Sequence, residues 1–201
     1  MQVNIILVDV LDATKFGTCR ADIIKKVTES YQDFLKFANA RIKPPATPHT
    51  VTVQFATAKP SPADTDLVVY FLPATFWSII TFAETGTKKQ NLLATHWGFT
   101  TTGSSGSKSE VVCKSADGCV LGSLVVHEIL HAKTGKDNKT LHATLGLGSE
   151  VVECATLPNN ANRTDIMNTI AKKVPQWTDG WDILTRAKAQ RDAGDPFWDQ
   201  F

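Results

Sequence analysis

The chain has 201 residues, of which 42% are hydrophobic, and its formal net charge at pH 7 is +1. This length suits one domain with a sizeable core. The scattered charges form neither a basic stripe for nucleic acid nor a polybasic run for an anionic membrane. The longest apolar runs, 5–8 and 67–72, are too short to span a bilayer and are typical of buried strands. We therefore expect a monomeric single domain with no nucleic-acid partner and no membrane span.

The first third of the chain is predicted to alternate between strands and a helix. Residues 3–10 are apolar and β-branched, which indicates a strand. Residues 21–41 carry one apolar stripe at helical spacing, and the prolines that begin at Pro44 end this helix. Residues 50–55 alternate between apolar and polar side chains, whereas 66–72 are continuously apolar. The first pattern predicts a half-buried strand and the second a central strand.

The middle of the chain leads to a second helix. Segment 76–82 is apolar and fits either a strand or a short helix, and 91–100 and 110–113 are predicted strands separated by a loop rich in Gly, Ser and Thr. The pattern then predicts a helix over 120–134, and Gly135 is placed to end it.

The last part of the chain shows weaker periodicity. Residues 136–162 follow neither the helical nor the strand period, so we expect mostly irregular structure there. A final helix begins near Thr178, a plausible N-cap, and runs to about 192. This order of elements predicts an α+β fold.

The four cysteines do not form a CxxC pair, so a structural zinc knuckle is not predicted. Cys113 and Cys119 flank the Asp117-Gly118 turn, and a close pair within an even count favours a disulfide between them. The alternative is four separate buried thiols. No signal-peptide pattern follows Met1, which leaves an intracellular protein or a mature secreted domain, and we favour the secreted domain.

The sequence His127-Glu128-Ile129-Leu130-His131 is an HExxH motif inside the predicted second helix. Residues four apart share one helix face, so both imidazoles can reach one metal ion. Glu128 is rotated by about 100° from His127 and borders the site without being a ligand. Zinc lowers the pKa of the water that it binds from ~16 towards ~7, and Glu128 can then take its proton as general base. The alternative is two hydrogen-bonded core histidines and a buried ion pair.

Two histidines and a water leave a zinc ion one protein ligand short. From the residues alone, Asp137, His142, Glu150 and Glu153 are all open as the third ligand. His142 offers an imidazole beyond the Gly135 turn, and Asp137 is nearer in sequence. Glu150 would fit zinc peptidases whose third ligand is a Glu on a following helix.

With these motifs the chain resembles the metzincins, a clan of zinc endopeptidases. The HExxH motif is followed by a glycine that breaks the helix, and Asp165-Ile166-Met167-Asn168 resembles the Met-turn, whose Met side chain lies beneath the metal. The order of elements, with a helix after that turn, is also similar. The resemblance implies one catalytic domain over 1–201, in which a twisted mixed sheet packs on two long helices. It divides into an N-terminal subdomain (1–135) and a mostly irregular C-terminal subdomain (136–201) ending in a helix.

The match departs from the family pattern, HExxHxxGxx followed by His or Asp. Thr134 stands where the glycine is expected, and Asp137 falls at the third-ligand spacing, as in snapalysins. His142 would need a longer loop after the glycine. Because zinc prefers imidazole, we choose His142, with Asp137 as the alternative. Thr169 occupies the place of the Tyr that astacins and serralysins carry, so a Tyr ligand is not expected.

The predicted function is therefore a zinc-dependent endopeptidase with one catalytic zinc and a protein or peptide substrate. By resemblance, the strand from Leu92 to Thr100 would form the upper rim of the cleft, and the residues after Met167 through Trp177 would wall a side-chain pocket. Alternatives are a gluzincin-like peptidase with Glu150 as third ligand and a non-catalytic protein. The non-catalytic protein would bind a metal, or bind a partner through the tryptophans Trp177, Trp181 and Trp198.

Overall fold

The computed structural model has an α+β fold, as the order of predicted elements indicated. It describes residues 1–14, 17–43, 46–63, 66–73, 97–103, 106–113, 115–174 and 179–194. The strands are β1 (Gln2–Val8), β2 (Thr50–Phe55), β3 (Leu67–Pro73), β4 (Gly98–Gly103) and β5 (Gly106–Cys113). The helices are α1 (Gly17–Asn39), α2 (Gly118–Thr134), α3 (Asn138–His142), α4 (Asn160–Thr169) and α5 (Gly180–Asp192), with a 3₁₀ turn at Gly146–Gly148. The prediction for 76–82, and that for 91–96, lie outside the described residues.

The five described strands form one sheet in the order β2-β1-β3-β5-β4. Strands β2, β1, β3 and β5 run parallel, and β4 pairs with β5 in the antiparallel direction. The parallel strands β1 and β3 are buried on both faces, which explains why their sequences are continuous apolar runs. The predicted strands of the first third are confirmed. Among the described strands, β2 and β4 are the outer ones.

The two faces of the sheet pack on different helices. On one face, odd-numbered residues of β1 and β3, such as Ile5 and Phe71, pack in one core with α1 and α2. On the other face, even-numbered residues such as Val8 and Leu72 pack with Leu184 of α5. The period of two along each strand therefore divides one apolar run between two cores. Helix α2 is buried along almost its whole length, so its polar side chains lie inside the protein.

The ends of α2 are fixed by local sequence. The Asp117 side chain accepts hydrogen bonds from the N–H groups of Cys119 and Val120, which is an N-cap. Gly135 has φ 71° and its N–H donates to the His131 carbonyl, so it ends the helix in the left-handed conformation that favours glycine. The prediction that Gly135 terminates the motif helix is confirmed.

The predicted disulfide between Cys113 and Cys119 is wrong, because Cys119 is bonded to Cys154 and Cys113 is free. Cys113 is the last residue of β5, and burial raises the pKa of its thiol. Cys119 lies in the first turn of α2, and the neighbour of that turn is the segment around Cys154. There the Ser123 hydroxyl donates to the Glu153 carbonyl at 2.9 Å. The two cysteines are 35 residues apart, so the local sequence around each of them does not indicate which cysteine is its partner.

Candidate metal centre

Three imidazoles converge at the surface of α2. His127 and His131 lie one helical turn apart on α2, and His142 is the last residue of α3. One nitrogen of each ring lies within 4.8 Å of those of the other two. The structure thus brings together the two motif histidines and the residue predicted as third ligand.

The spacing of the His127 and His131 nitrogens fits a tetrahedral metal ion. The Nε2 atoms of His127 and His131 are 3.2 Å apart. Two nitrogens each 2.0–2.1 Å from one tetrahedral zinc ion are about 3.3 Å apart. The Nδ1 atoms of the same rings lie 2.9 Å from the carbonyl oxygens of Leu147 and Lys136. A carbonyl oxygen only accepts, so each Nδ1 carries the proton and each Nε2 presents a lone pair to the common point.

Burial keeps His127 and His131 neutral. Burial lowers the pKa of His127 to about 4, and the neighbouring His131 adds to this effect. Burial also lowers the pKa of His131. A histidine must be neutral to bind a metal through its lone pair, so both rings are ready to do so at neutral pH.

The carboxyl group of Glu128 lines the same cavity as the imidazoles but is not one of the clustered metal-ligating groups. It is 2% exposed, and burial raises its pKa to about 8, an effect that a hydrogen bond from Thr100 partly opposes. The Thr100 hydroxyl on β4 lies 2.6 Å from its Oε2. A β-carbon at Gly98 would overlap Oε1 of Glu128 and lie 2.9 Å from its Cδ. Strand β4 therefore positions this carboxyl group in two ways: Thr100 donates a hydrogen bond to it, and Gly98 leaves space for it because glycine has no β-carbon.

Sequence reasoning identified neither Thr100 nor Gly98 as part of the site. The only signal was a glycine inside the predicted strand 91–100, since a glycine within a strand often marks a close approach to another group. A cavity of about 240 Å³ opens over the imidazoles and the carboxyl group. Its lining combines α2, β4 and the chain after α3: Trp97, Gly98, Thr100, Leu124, His127, Glu128, His131, Asn138, His142 and Glu150.

The other candidates for third ligand are engaged or placed elsewhere. Asp137 is the exposed N-cap of α3, where its carboxylate accepts a hydrogen bond from the Thr140 N–H at 2.8 Å. Glu150 lines the cavity but does not belong to the group of metal-ligating atoms found among the described residues, and Glu153 is also outside it.

The sharp reversal after α2 explains how His142 reaches the other two imidazoles. Gly135 turns the chain, the Lys136 carbonyl accepts from His131, and Asp137 then starts the five-residue helix α3. The Lys136 ammonium also forms an ion pair with Asp165 of α4 at 2.7 Å. This short connection was predicted to be irregular, and its single helical turn is what carries His142 back towards α2.

The prediction of a tight turn at Asp165–Asn168 is wrong, because these residues lie inside α4. Asn159 and Asn162 form a reciprocal capping box that starts the helix. Met167 is half-buried and packs against the core shared by α1 and α2. Asn159 and Asn162 therefore start a helix here rather than a turn.

The segment that supplies the Leu147 carbonyl is tied to the rest of the protein. The Leu147 N–H donates to Asn162 at 3.0 Å. Further along, the Cys119–Cys154 disulfide joins the segment to α2. The buried Lys26 of α1 donates to two of its carbonyls at 2.8 and 2.9 Å. These contacts hold the hydrogen-bond partner of His127 in place.

Part of the predicted substrate-pocket wall, residues 175–177, lies outside the described residues. The described part, 168–174, does not line the cavity above the imidazoles. No helix among the described residues is both long and apolar enough to cross a membrane. Comparisons with protein-family models, curated proteins and solved structures found no match.

Proposed function

We propose that the protein is a zinc-dependent endopeptidase. The observation that carries the proposal is a cluster of three imidazoles beside a buried carboxyl group that is not part of the cluster. His127, His131 and His142 would hold the ion, which supplies polarisation of a water molecule and of the substrate carbonyl. Three neutral nitrogen ligands and one open position are typical of catalytic rather than structural zinc sites.

Glu128 is the general base in this proposal. Its pKa of about 8 in the metal-free site falls when positive charge is held at the neighbouring imidazoles, because opposite charge favours the ionised form. Glu128 then accepts a proton from the attacking water and delivers it to the leaving amine. Thr100 keeps the carboxyl group aimed at the cavity through its 2.6 Å hydrogen bond.

Strand β4 supports a peptide as the substrate. It is the last strand in the order of the described sheet, and it lines the cavity through Gly98 and Thr100. An extended peptide can add to such an edge by main-chain hydrogen bonds. A metzincin-like architecture is part of this proposal, supported by the antiparallel edge strand beside the HExxH helix. The helix at Met167 departs from it.

The proposal is tested by metal content and hydrolysis together. Protein prepared with zinc should contain one zinc per chain by elemental analysis and should cleave fluorescein-labelled casein. Glu128→Gln should keep the zinc and lose about 10²–10⁴-fold in rate. Glu29→Gln, which changes an exposed residue of α1, should keep both. Absence of stoichiometric zinc, or full activity of Glu128→Gln, would contradict the proposal.

A further inference from the structure

A second cavity adjoins the metal centre on the N-terminal side of α2. Its volume is about 360 Å³, and it shares Trp97, Leu124 and Glu150 with the cavity over the imidazoles. The shared residues make the two cavities neighbours along one cleft. A substrate whose scissile bond lies at the metal would place an adjacent side chain in the second cavity.

The walls of this cavity are apolar. Leu124 and Val120 lie on one face of α2, one turn and two turns before His127, and at 1.5 Å per residue they extend about 5–10 Å from it. Val151 and Val152 face them from the segment after the 3₁₀ turn. Trp97 is 42% exposed and Val151 72% exposed, so apolar surface is open to solvent at the entrance.

The rim of the same cavity is acidic. Glu150 and Glu153 both line it and are both exposed. Neither side chain forms an ion pair or hydrogen bond with another residue in the part of the chain that the structure describes. Two carboxylates that have no ion-pair partner among the described residues thus stand at the opening of an apolar pocket.

We propose that this cavity is a specificity pocket for a lysine or arginine side chain next to the scissile bond. Such side chains bury an apolar stem and keep a cationic end in water, which matches apolar walls below an acidic rim. The inference rests on the proposed endopeptidase function, and it assigns Glu150 and Glu153 to substrate recognition rather than to the metal. It also replaces the residues after Met167 as the wall of a side-chain pocket.

The wall of the pocket that residues 150–153 form is tied to α2 by a disulfide and a hydrogen bond. The Cys119–Cys154 disulfide follows Glu153 directly, and Ser123 of α2 donates to the Glu153 carbonyl at 2.9 Å. Residues 150–153 are therefore anchored to the helix that forms the opposite wall. A pocket formed before the ligand arrives loses less affinity to ordering.

The test uses zinc-loaded protein and internally quenched peptides that differ at one position. Lysine, arginine, norleucine or glutamate is placed in turn on either side of the scissile bond, and cleavage sites are read by mass spectrometry. Norleucine has the carbon chain of lysine without its charge. We expect lysine and arginine peptides to exceed norleucine by about fivefold or more in kcat/KM, since two exposed ion pairs contribute modestly. The ratio should fall with added salt.

A binding measurement separates this proposal from the proposed function. The zinc-loaded Glu128→Gln variant should bind fluorescein-labelled lysine peptides more tightly than norleucine peptides in fluorescence anisotropy. Replacing both Glu150 and Glu153 by Gln should remove the preference, whereas Glu29→Gln should keep it. Both replaced residues are exposed, so the fold should be unaffected, and thermal unfolding checks this.

The outcomes can be told apart. Equal cleavage and binding of lysine and norleucine peptides would overturn the assignment of the pocket, and so would a lysine preference that survives in the double variant. Preferential binding of lysine peptides without cleavage by the wild-type protein would overturn the proposed hydrolysis and support the pocket as a binding site for a basic side chain.

Discussion

Gly98 should be required for the position of the general base, and Gly98→Ala tests this. An added β-carbon would overlap Oε1 of Glu128 and lie 2.9 Å from Cδ and 3.1 Å from Cγ. Carbon atoms in van der Waals contact prefer about 3.5–4.0 Å, so the carboxyl group must retreat by about 0.6–1 Å. The Thr100 hydroxyl, now 2.6 Å away, would lose its hydrogen bond or follow the displacement.

The expected effect is on rate rather than on metal binding. A displacement of about 1 Å at a catalytic group can cost about 10²-fold, and removal of a general base costs about 10²–10⁴-fold. We therefore expect Gly98→Ala to lower kcat/KM on fluorescein-labelled casein by about 10²-fold. The variant should keep one zinc per chain, because the three heavy atoms nearest to the new methyl group all belong to Glu128.

The double variant sharpens this test. If Gly98→Ala acts only by displacing Glu128, adding it to Glu128→Gln should cause no further loss of activity, because both changes remove the same interaction. Wild-type activity of Gly98→Ala would refute the reasoning. Loss of zinc together with activity would show instead that the change reaches the imidazoles.

The remaining predictions concern the metal, the disulfide and pH. His142→Ala should weaken zinc binding by more than about 100-fold in competition with a chelator, whereas Asp137→Asn, which keeps a good N-cap, should retain stoichiometric zinc; equal loss in both would contradict the assignment. Opening the Cys119–Cys154 disulfide, which spans 35 residues, should cost about 4 kcal/mol and lower Tm by about 8–16 °C in calorimetry, and Cys113→Ala should not. In metal-free protein the pKa of Glu128 is about 8, above the ordinary value of 4.5 for a glutamate, so between these two pH values the folded chain holds a proton that the unfolded chain has released. The free energy of unfolding should therefore fall as pH rises from about 4.5 to about 8. In urea titrations the advantage of Glu128→Gln over the wild type should grow by up to about 1.4 kcal/mol per pH unit, and a constant difference would refute this.

The parts of the site that were predictable from sequence are those encoded locally. The spacing of His127 and His131 fixes two imidazoles on one helix face, and the N-cap at Asp117 and the glycine at Gly135 fix the ends of that helix. The strands β1 and β3 were predictable because burial on both faces requires a continuous apolar run.

The parts that were missed are contacts between distant segments. Thr100 meets Glu128 across 28 residues, and the disulfide joins two segments 35 residues apart. A threonine in a strand and a cysteine in a loop have the same local appearance whether or not such a partner exists. Met167 was placed in a turn because residues 165–168 resemble the Met-turn, but Asn159 and Asn162 form a capping box that starts a helix through these residues.

Asp137 shows that a residue at the sequence spacing of a metal ligand can serve a different purpose, here as a helix N-cap. Asp137 stands at the ligand spacing of the resembled family, yet its carboxylate accepts the Thr140 N–H and starts α3. That helix has five residues, and its last residue is the imidazole that reaches the other two. If the carboxylate bound a metal instead, the first turn of α3 would lose its N-cap and His142 would lose the helix that carries it. The capping role of Asp137 and the proposed ligand role of His142 are therefore linked, and a chain with the glycine one residue late can still bring a third imidazole to the other two.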